Sequence, residues 1–214
     1  PNDIGVVKFR KSQNIVGEIK NVTISKHVGK WYVSFGAENT VEAPVHPSKS
    51  AVGIDLGVKK LITTSSGQVF DPINSFKANQ VKLARLQRKL KKKTKFSENW
   101  KKLNLKINKL HHHIANIRHD YLHKVTTSIS KSHAMIACED LKVANMSKSA
   151  SGTVENKGRQ VKAKSGLNKS ILDQGWGMMV NMLEYKQQWQ GGLLIKVNPR
   201  YTSQTCFECK HIAK

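Results

Sequence analysis

The sequence predicts an α/β fold in which a mixed sheet carries a long helical-hairpin insertion and follows a small β domain. Three observations predict it. Short apolar runs rich in β-branched residues recur at 51–57, 60–64, 68–70, 134–138 and 193–197, bounded by turn residues. Two long stretches of helical periodicity separate the third run from the fourth. Two acidic residues, Asp55 and Glu139, close two of the runs, where a carboxylate is out of place without a partner.

Residues 5–10, 19–26 and 31–36 read as short strands of an antiparallel barrel or sheet, with Asn21 and Gly29 as turn residues. Residues 42–50, with two prolines and two serines, form the linker. The run 51–57 opens the second unit, and the Ser65-Ser66-Gly67 turn makes 60–64 and 68–70 a hairpin. Asp55 reads either as a turn cap accepting N–H bonds near Gly57 or as a metal ligand.

Residues 75–93 and 97–130 are two long helices, with Ser97 a candidate N-cap for the second. Trp100, Leu103, Ile107, Leu110, Ile114, Ile117 and Tyr121 fall on one stripe, and Val81, Leu83, Leu86 and Leu90 supply apolar faces to the first helix. An antiparallel helical hairpin is expected. The consecutive His111, His112 and His113 point in different directions and read as polar surface. The strand 134–138 ends in Glu139-Asp140, of which one carboxylate can share a face with Asp55. Residues 145–168 read as a mobile basic loop, 169–189 as one helix ended by Gly191-Gly192, and 193–197 as the last strand. Three strands, helices, a strand, a helix and a strand is the pattern of an RNase H-like domain.

Charge narrows the function. The chain has 37 Lys and Arg against 14 Asp and Glu, a net charge of +23. With 38% hydrophobic residues in periodic runs, such charge belongs to a folded chain rather than a disordered one. It points to a polyphosphate partner over an anionic membrane, since no single amphipathic anchor collects it. On the helical hairpin it falls on Lys82, Arg85, Arg88, Lys89, Lys92, Lys102, Lys106 and Lys109, with Glu98 the only acid between Val81 and Leu110. An ordinary solvated face mixes both signs. Arg159, Lys162 and Lys164 extend the basic surface into the 145–168 loop. Three cysteines make no disulfide framework; Cys206-x-x-Cys209 has the spacing of half a zinc site. No apolar run is long enough for a membrane helix. Asp55 and Glu139, brought together, would suit Mg²⁺, which takes oxygen ligands and acts on phosphodiesters.

These residues resemble TnpB, the RNA-guided nuclease family of insertion sequences, related to type V CRISPR effector nucleases. The resemblance runs from about Val52 to the last residue. It rests on GIDLGVKKLIT, ACEDLKVANM, SGLNKSILDQGW with the EYK that follows, and YTSQTCFECKH. It implies a RuvC-like nuclease domain over 51–200 with the helical insertion at 75–130. A partial wedge-like β-barrel domain over 1–45 and the start of a zinc finger over 201–214 complete the implied organisation. It makes Asp55 and Glu139 the first two acids of a Mg²⁺-dependent catalytic site, and Cys206 and Cys209 ligands of a structural Zn²⁺. It implies guide RNA and target DNA as partners, in a bacterial or archaeal cytoplasm. A third catalytic Asp and a second CxxC are expected beyond Lys214, so the chain reads as a piece of a longer protein or a naturally short one. A catalytically inactive RNA-guided DNA-binding protein, or a binding subunit, needs the charge but not the carboxylates. An actin-like or sugar-kinase-type ATPase also places GIDLG at a strand–turn, but the charge and the lack of a second glycine-rich phosphate loop count against it.

Overall fold

A computed structural model describes residues 5–202, 204–206, 208–209 and 211–212. Residues 1–4 of the expected N-terminal domain, and 203, 207, 210, 213 and 214 of the expected zinc-finger segment, lie outside the described residues.

The chain begins with a long hairpin, β1 (Glu18–His27) and β2 (Lys30–Glu38), paired antiparallel across the Val28-Gly29 turn. It forms a two-stranded sheet of its own. The strand expected at 5–10 is absent: this segment makes no ladder, and Phe9 packs its ring 5.2 Å from that of Phe35. A short alternating run satisfies the pattern of a strand, but only a partner edge makes it one. The linker is pinned rather than loose. Ser48 N donates to His46 Nδ1 at 3.0 Å, so Nε2 carries the proton and donates to Ser130 O at 2.8 Å.

The main sheet has five strands in the order β5-β4-β3-β6-β7: β3 (Ala51–Leu56), β4 (Ile62–Thr64), β5 (Val69–Phe70), β6 (Met135–Glu139) and β7 (Leu193–Val197). The β3-β4-β5 meander is antiparallel, and β3, β6 and β7 run parallel. Gly67, at φ 85°, makes the β4–β5 turn. Helices α1 (Ser75–Lys91) and α2 (Glu98–Ser132) form the expected hairpin, and the Ser97 hydroxyl caps α2 by accepting from Trp100 N at 3.2 Å. Leu83 of α1 meets Ile107, Leu110 and Ile114 of α2, with Phe76, Leu86 and Leu90 at the margin. Val81, expected on the apolar face, is 79% exposed. It lies half a turn from Leu83, so both cannot face α2.

A short helix α3 (Val143–Met146) follows β6. Two helices then occupy the region expected as a loop and one helix: α4 (Val161–Gln174) and α5 (Trp176–Gln190). The expected loop 145–168 therefore ends at 160, and the expected helix 169–189 is broken at Gly175. Gly175 has φ 72°, and a Cβ there would lie 3.0 Å from Arg118 Cδ and 3.1 Å from Leu122 Cδ1. Periodicity continues across a one-residue break, which hid it from the sequence pattern.

α2 and α5 cover one face of the sheet. Val52, Ile54, Leu56, Ile136 and Cys138 meet Leu122, Val125 and Ile129 of α2 and Met179, Met182 and Leu183 of α5. The alternate residues of β3, β6 and β7 line the opposite face, where Ala51, Asp55, Met135, Leu193, Ile195 and Val197 are exposed. Among the described residues no helix is long and apolar enough to cross a membrane.

Candidate functional site

Asp55 and Glu139 are set by strand register. β3 and β6 pair in parallel through Ile54↔Cys138, so the next residues along, Asp55 and Glu139, stand side by side at the C-terminal ends of adjacent strands. Both fall on the alternation opposite the helix-covered face. Adjacent strands lie about 4.8 Å apart, so the two carboxylates share one neighbourhood. Asp140 points elsewhere: its carboxylate pairs with Lys142, and its N–H donates to Val197 O at 2.8 Å.

The two readings of Asp55 now separate. Among the described residues its carboxylate accepts no hydrogen bond, while Gly57 N–H donates to Leu61 O at 3.3 Å. The turn is closed without it, so the cap reading fails. The premise of a buried charge also fails, since Asp55 is exposed. An exposed carboxylate, Asp55, next to a half-buried one, Glu139, suits a hard cation that takes few protein oxygens and keeps its waters. Among the described residues no group of three or more His, Cys, Asp and Glu side chains converges. Glu139 Oε1 accepts from Thr202 Oγ1 at 2.5 Å, a contact that no spacing in the sequence announces.

The expected basic residues divide. Lys82, Arg85, Arg88, Lys89, Lys92, Lys102, Lys106 and Lys109 are exposed and form no ion pair among the described residues. At the tip of the helical hairpin Lys89, Lys92, Lys93, Lys102 and Lys106 line a cleft of about 590 Å³ with Asn99 and Leu103. Five lysines around one cleft repel one another and favour a polyanion. Arg159 and Lys162 are exposed. Lys164 is not free: from α4 it donates to Met146 O at 2.6 Å, tying α4 to α3.

Cys206 and Cys209 lie in a narrow hairpin closed by the Thr205↔Ile212 bridge and by Cys206 N–H donating to His211 O at 2.8 Å. Hydrogen bonds from the Cys209 backbone and thiol and from the Glu208 backbone push the Cys206 thiol down from its ordinary value. Two adjacent sulfurs, one inclined to ionise, suit zinc as half a ligand set. Burial pushes the Cys138 thiol up, as befits a core residue.

Asp173 is a second residue the sequence did not single out. It is buried on α4 and its carboxylate accepts from Ser75 Oγ, Phe76 N and Lys77 N at 2.9–3.2 Å, with Arg118 3.4 Å away. It caps α1 from outside, where Asn74 provides no side-chain cap. It thus fastens the base of the helical hairpin to α4. Its only signal was an acid among the apolar residues of the 169–183 stretch.

Residues 34–150, more than half the chain, match the OrfB_IS605 family, described as a probable transposase. Residues 176–214 match the Cas12f1-like TNB domain. A relative from Escherichia coli strain K12, named "Putative RNA-guided DNA endonuclease InsQ", is 60% identical over 99% of this chain and 52% of its own length. One from Streptomyces pristinaespiralis, named "Putative RNA-guided DNA endonuclease", is 31% identical over 90% of this chain and 44% of its own. The chain thus spans about half the length of the curated relatives it matches. A solved Cas12f1-sgRNA-target DNA complex has a chain similar to 89% of this one and 45% of its own length, at TM-score 0.48 and 19% identity. On the strength of the match over 34–150 and of the 60% identity, the chain belongs to the OrfB_IS605, or TnpB, family.

Proposed function

We propose that this chain carries the guide-tracking surface and the first two acids of an RNA-guided DNA endonuclease that hydrolyses phosphodiesters with Mg²⁺. The observation that carries this is the placement of Asp55 and Glu139 at the ends of adjacent parallel strands, on the side of the sheet opposite α2 and α5. Asp55 and Glu139 would hold the metal, each offering oxygens from its own strand end. Mg²⁺ bound there would activate water and stabilise the leaving oxygen. The lysines of the hairpin tip, with Arg159 and Lys162, hold the backbone of an RNA–DNA heteroduplex, while base pairing reads the sequence. The wedge-like hairpin β1–β2, the RuvC-like sheet and the zinc-binding role of Cys206 and Cys209 belong to the same proposal.

The test is cleavage of a guide-matched DNA by the full-length protein with guide RNA and Mg²⁺. Wild type cuts, and Asp55→Ala loses cleavage by at least about 100-fold while retaining guide-dependent DNA binding. Cutting by Asp55→Ala at the wild-type rate refutes the assignment. Binding without cutting by wild type would make the protein a guide-dependent DNA binder.

A further inference from the structure

We infer that Thr202 is a positioning residue for Glu139: it fixes one carboxylate oxygen and leaves the other for the cation. This rests on the proposed metal-holding role of Glu139. The Thr202 hydroxyl has one proton and two acceptors in reach, Glu139 Oε1 at 2.5 Å and Pro199 O at 3.1 Å. The shorter contact, to a carboxylate, takes the proton; O–H···O⁻ bonds of about 2.5–2.7 Å are the strong ones. Glu139 Oε2 accepts no side-chain bond among the described residues.

The segment carrying Thr202 is built to hold it there. Val197, the last residue of β7, pairs with Glu139 in register, so the chain leaves the sheet beside the carboxylate. Arg200 N–H donates to Asn198 Oδ1 at 3.0 Å, and the Arg200 guanidinium lies 4.9 Å from the centre of the Tyr201 ring. Tyr201 takes φ 62°, a left-handed conformation that a bulky residue adopts only when its surroundings impose it. Its carbonyl accepts three bonds: from Gln204 N at 3.0 Å, Thr205 N at 2.9 Å and Thr205 Oγ1 at 2.7 Å. The backbone reversal at Tyr201 turns the next residue, Thr202, back onto β6. A freely rotating glutamate must be ordered before it can hold a cation, and a braced hydroxyl removes that cost in advance.

The experiment uses the full-length protein with guide RNA, with Thr202→Val, Thr202→Ser and Glu139→Gln. Mn²⁺ binding is read by electron paramagnetic resonance, and the Mg²⁺ dependence of cleavage is read alongside. Thr202→Val, equal in shape but without the hydroxyl, weakens Mn²⁺ binding about 10-fold and raises the half-maximal Mg²⁺ by a similar factor. Its rate at saturating Mg²⁺ and its binding of matched DNA stay near wild type. Thr202→Ser, which keeps the hydroxyl, stays within about 3-fold of wild type in both readouts. Should Thr202→Val match wild type in Mn²⁺ binding, or Thr202→Ser be as impaired as Thr202→Val, the positioning role is overturned while the loss of cleavage in Glu139→Gln upholds the metal site. Should Glu139→Gln cleave at the wild-type rate, the metal-site reading falls and the role of Thr202 with it.

Discussion

Replacing Asp173 by Ala removes the single acceptor serving the Ser75 hydroxyl, the Phe76 and Lys77 amides and the Arg118 guanidinium. The Asp173 side chain is 3% exposed, so water does not replace it. Loss of a helix cap costs about 0.5–2 kcal/mol. Breaking a buried ion pair by removing one partner costs about 3–5 kcal/mol. The two costs overlap, because one carboxylate serves both roles. The Arg118 contact is long, at 3.4 Å, and its side chain is 21% exposed, which discounts the ionic part. About 3 kcal/mol remains, and for a chain of 214 residues each kcal/mol shifts Tm by about 2–4 °C. Asp173→Ala should therefore melt roughly 6–12 °C lower by circular dichroism. Asp173→Asn, which keeps one carbonyl acceptor, should lose about 1–2 kcal/mol. Amide exchange locates the effect: Phe76 and Lys77 should lose protection before the centre of α1 does. Asp173→Ala within about 1 kcal/mol of wild type, or Asn costing as much as Ala, would refute the cap.

Gly175→Ala places a Cβ at φ 72° against Arg118 and Leu122, and should cost about 1–3 kcal/mol in urea denaturation. Among the thiols of metal-free protein, Cys206 should react fastest with iodoacetamide at neutral pH. Its lowered pKa raises the thiolate fraction, whereas Cys138 is buried with a raised pKa and should react only on unfolding. Peptide mass spectrometry reads the order, and equal rates would contradict it. Lys92→Glu with Lys102→Glu should weaken heteroduplex binding and flatten its salt dependence by about one unit of slope for each phosphate no longer neutralised. Anisotropy titrations at several salt concentrations measure this, and an unchanged slope would remove the hairpin tip from the interface.

Much of the candidate site was legible because its determinants are local. Asp55 and Glu139 stood out as acids closing apolar runs, and the basic hairpin as a long helical pattern with one acid in it. Of the basic residues in the 145–168 stretch, Arg159 and Lys162 are exposed, while Lys164 is half-buried and donates to Met146 O. The difference is invisible in a string of basic residues, because it depends on whether a carbonyl such as Met146 O comes within reach. Val81 misled for the same reason, since a helix has one buried side and the partner helix chooses it.

The sequence by itself determined most of the elements, the charge and the chemical type of the donors, since strand alternation, helix period and residue chemistry act over a few residues; it did not foresee the missing strand at 5–10 or the helix break at Gly175. Only the tertiary structure decided the register of β3 against β6 and that Asp55 is exposed rather than buried. It also decided that Asp173 caps α1 across 97 residues and that Thr202 reaches Glu139 across 63. Such contacts are set by packing and hydrogen bonding between distant segments, and no local pattern needs to record them.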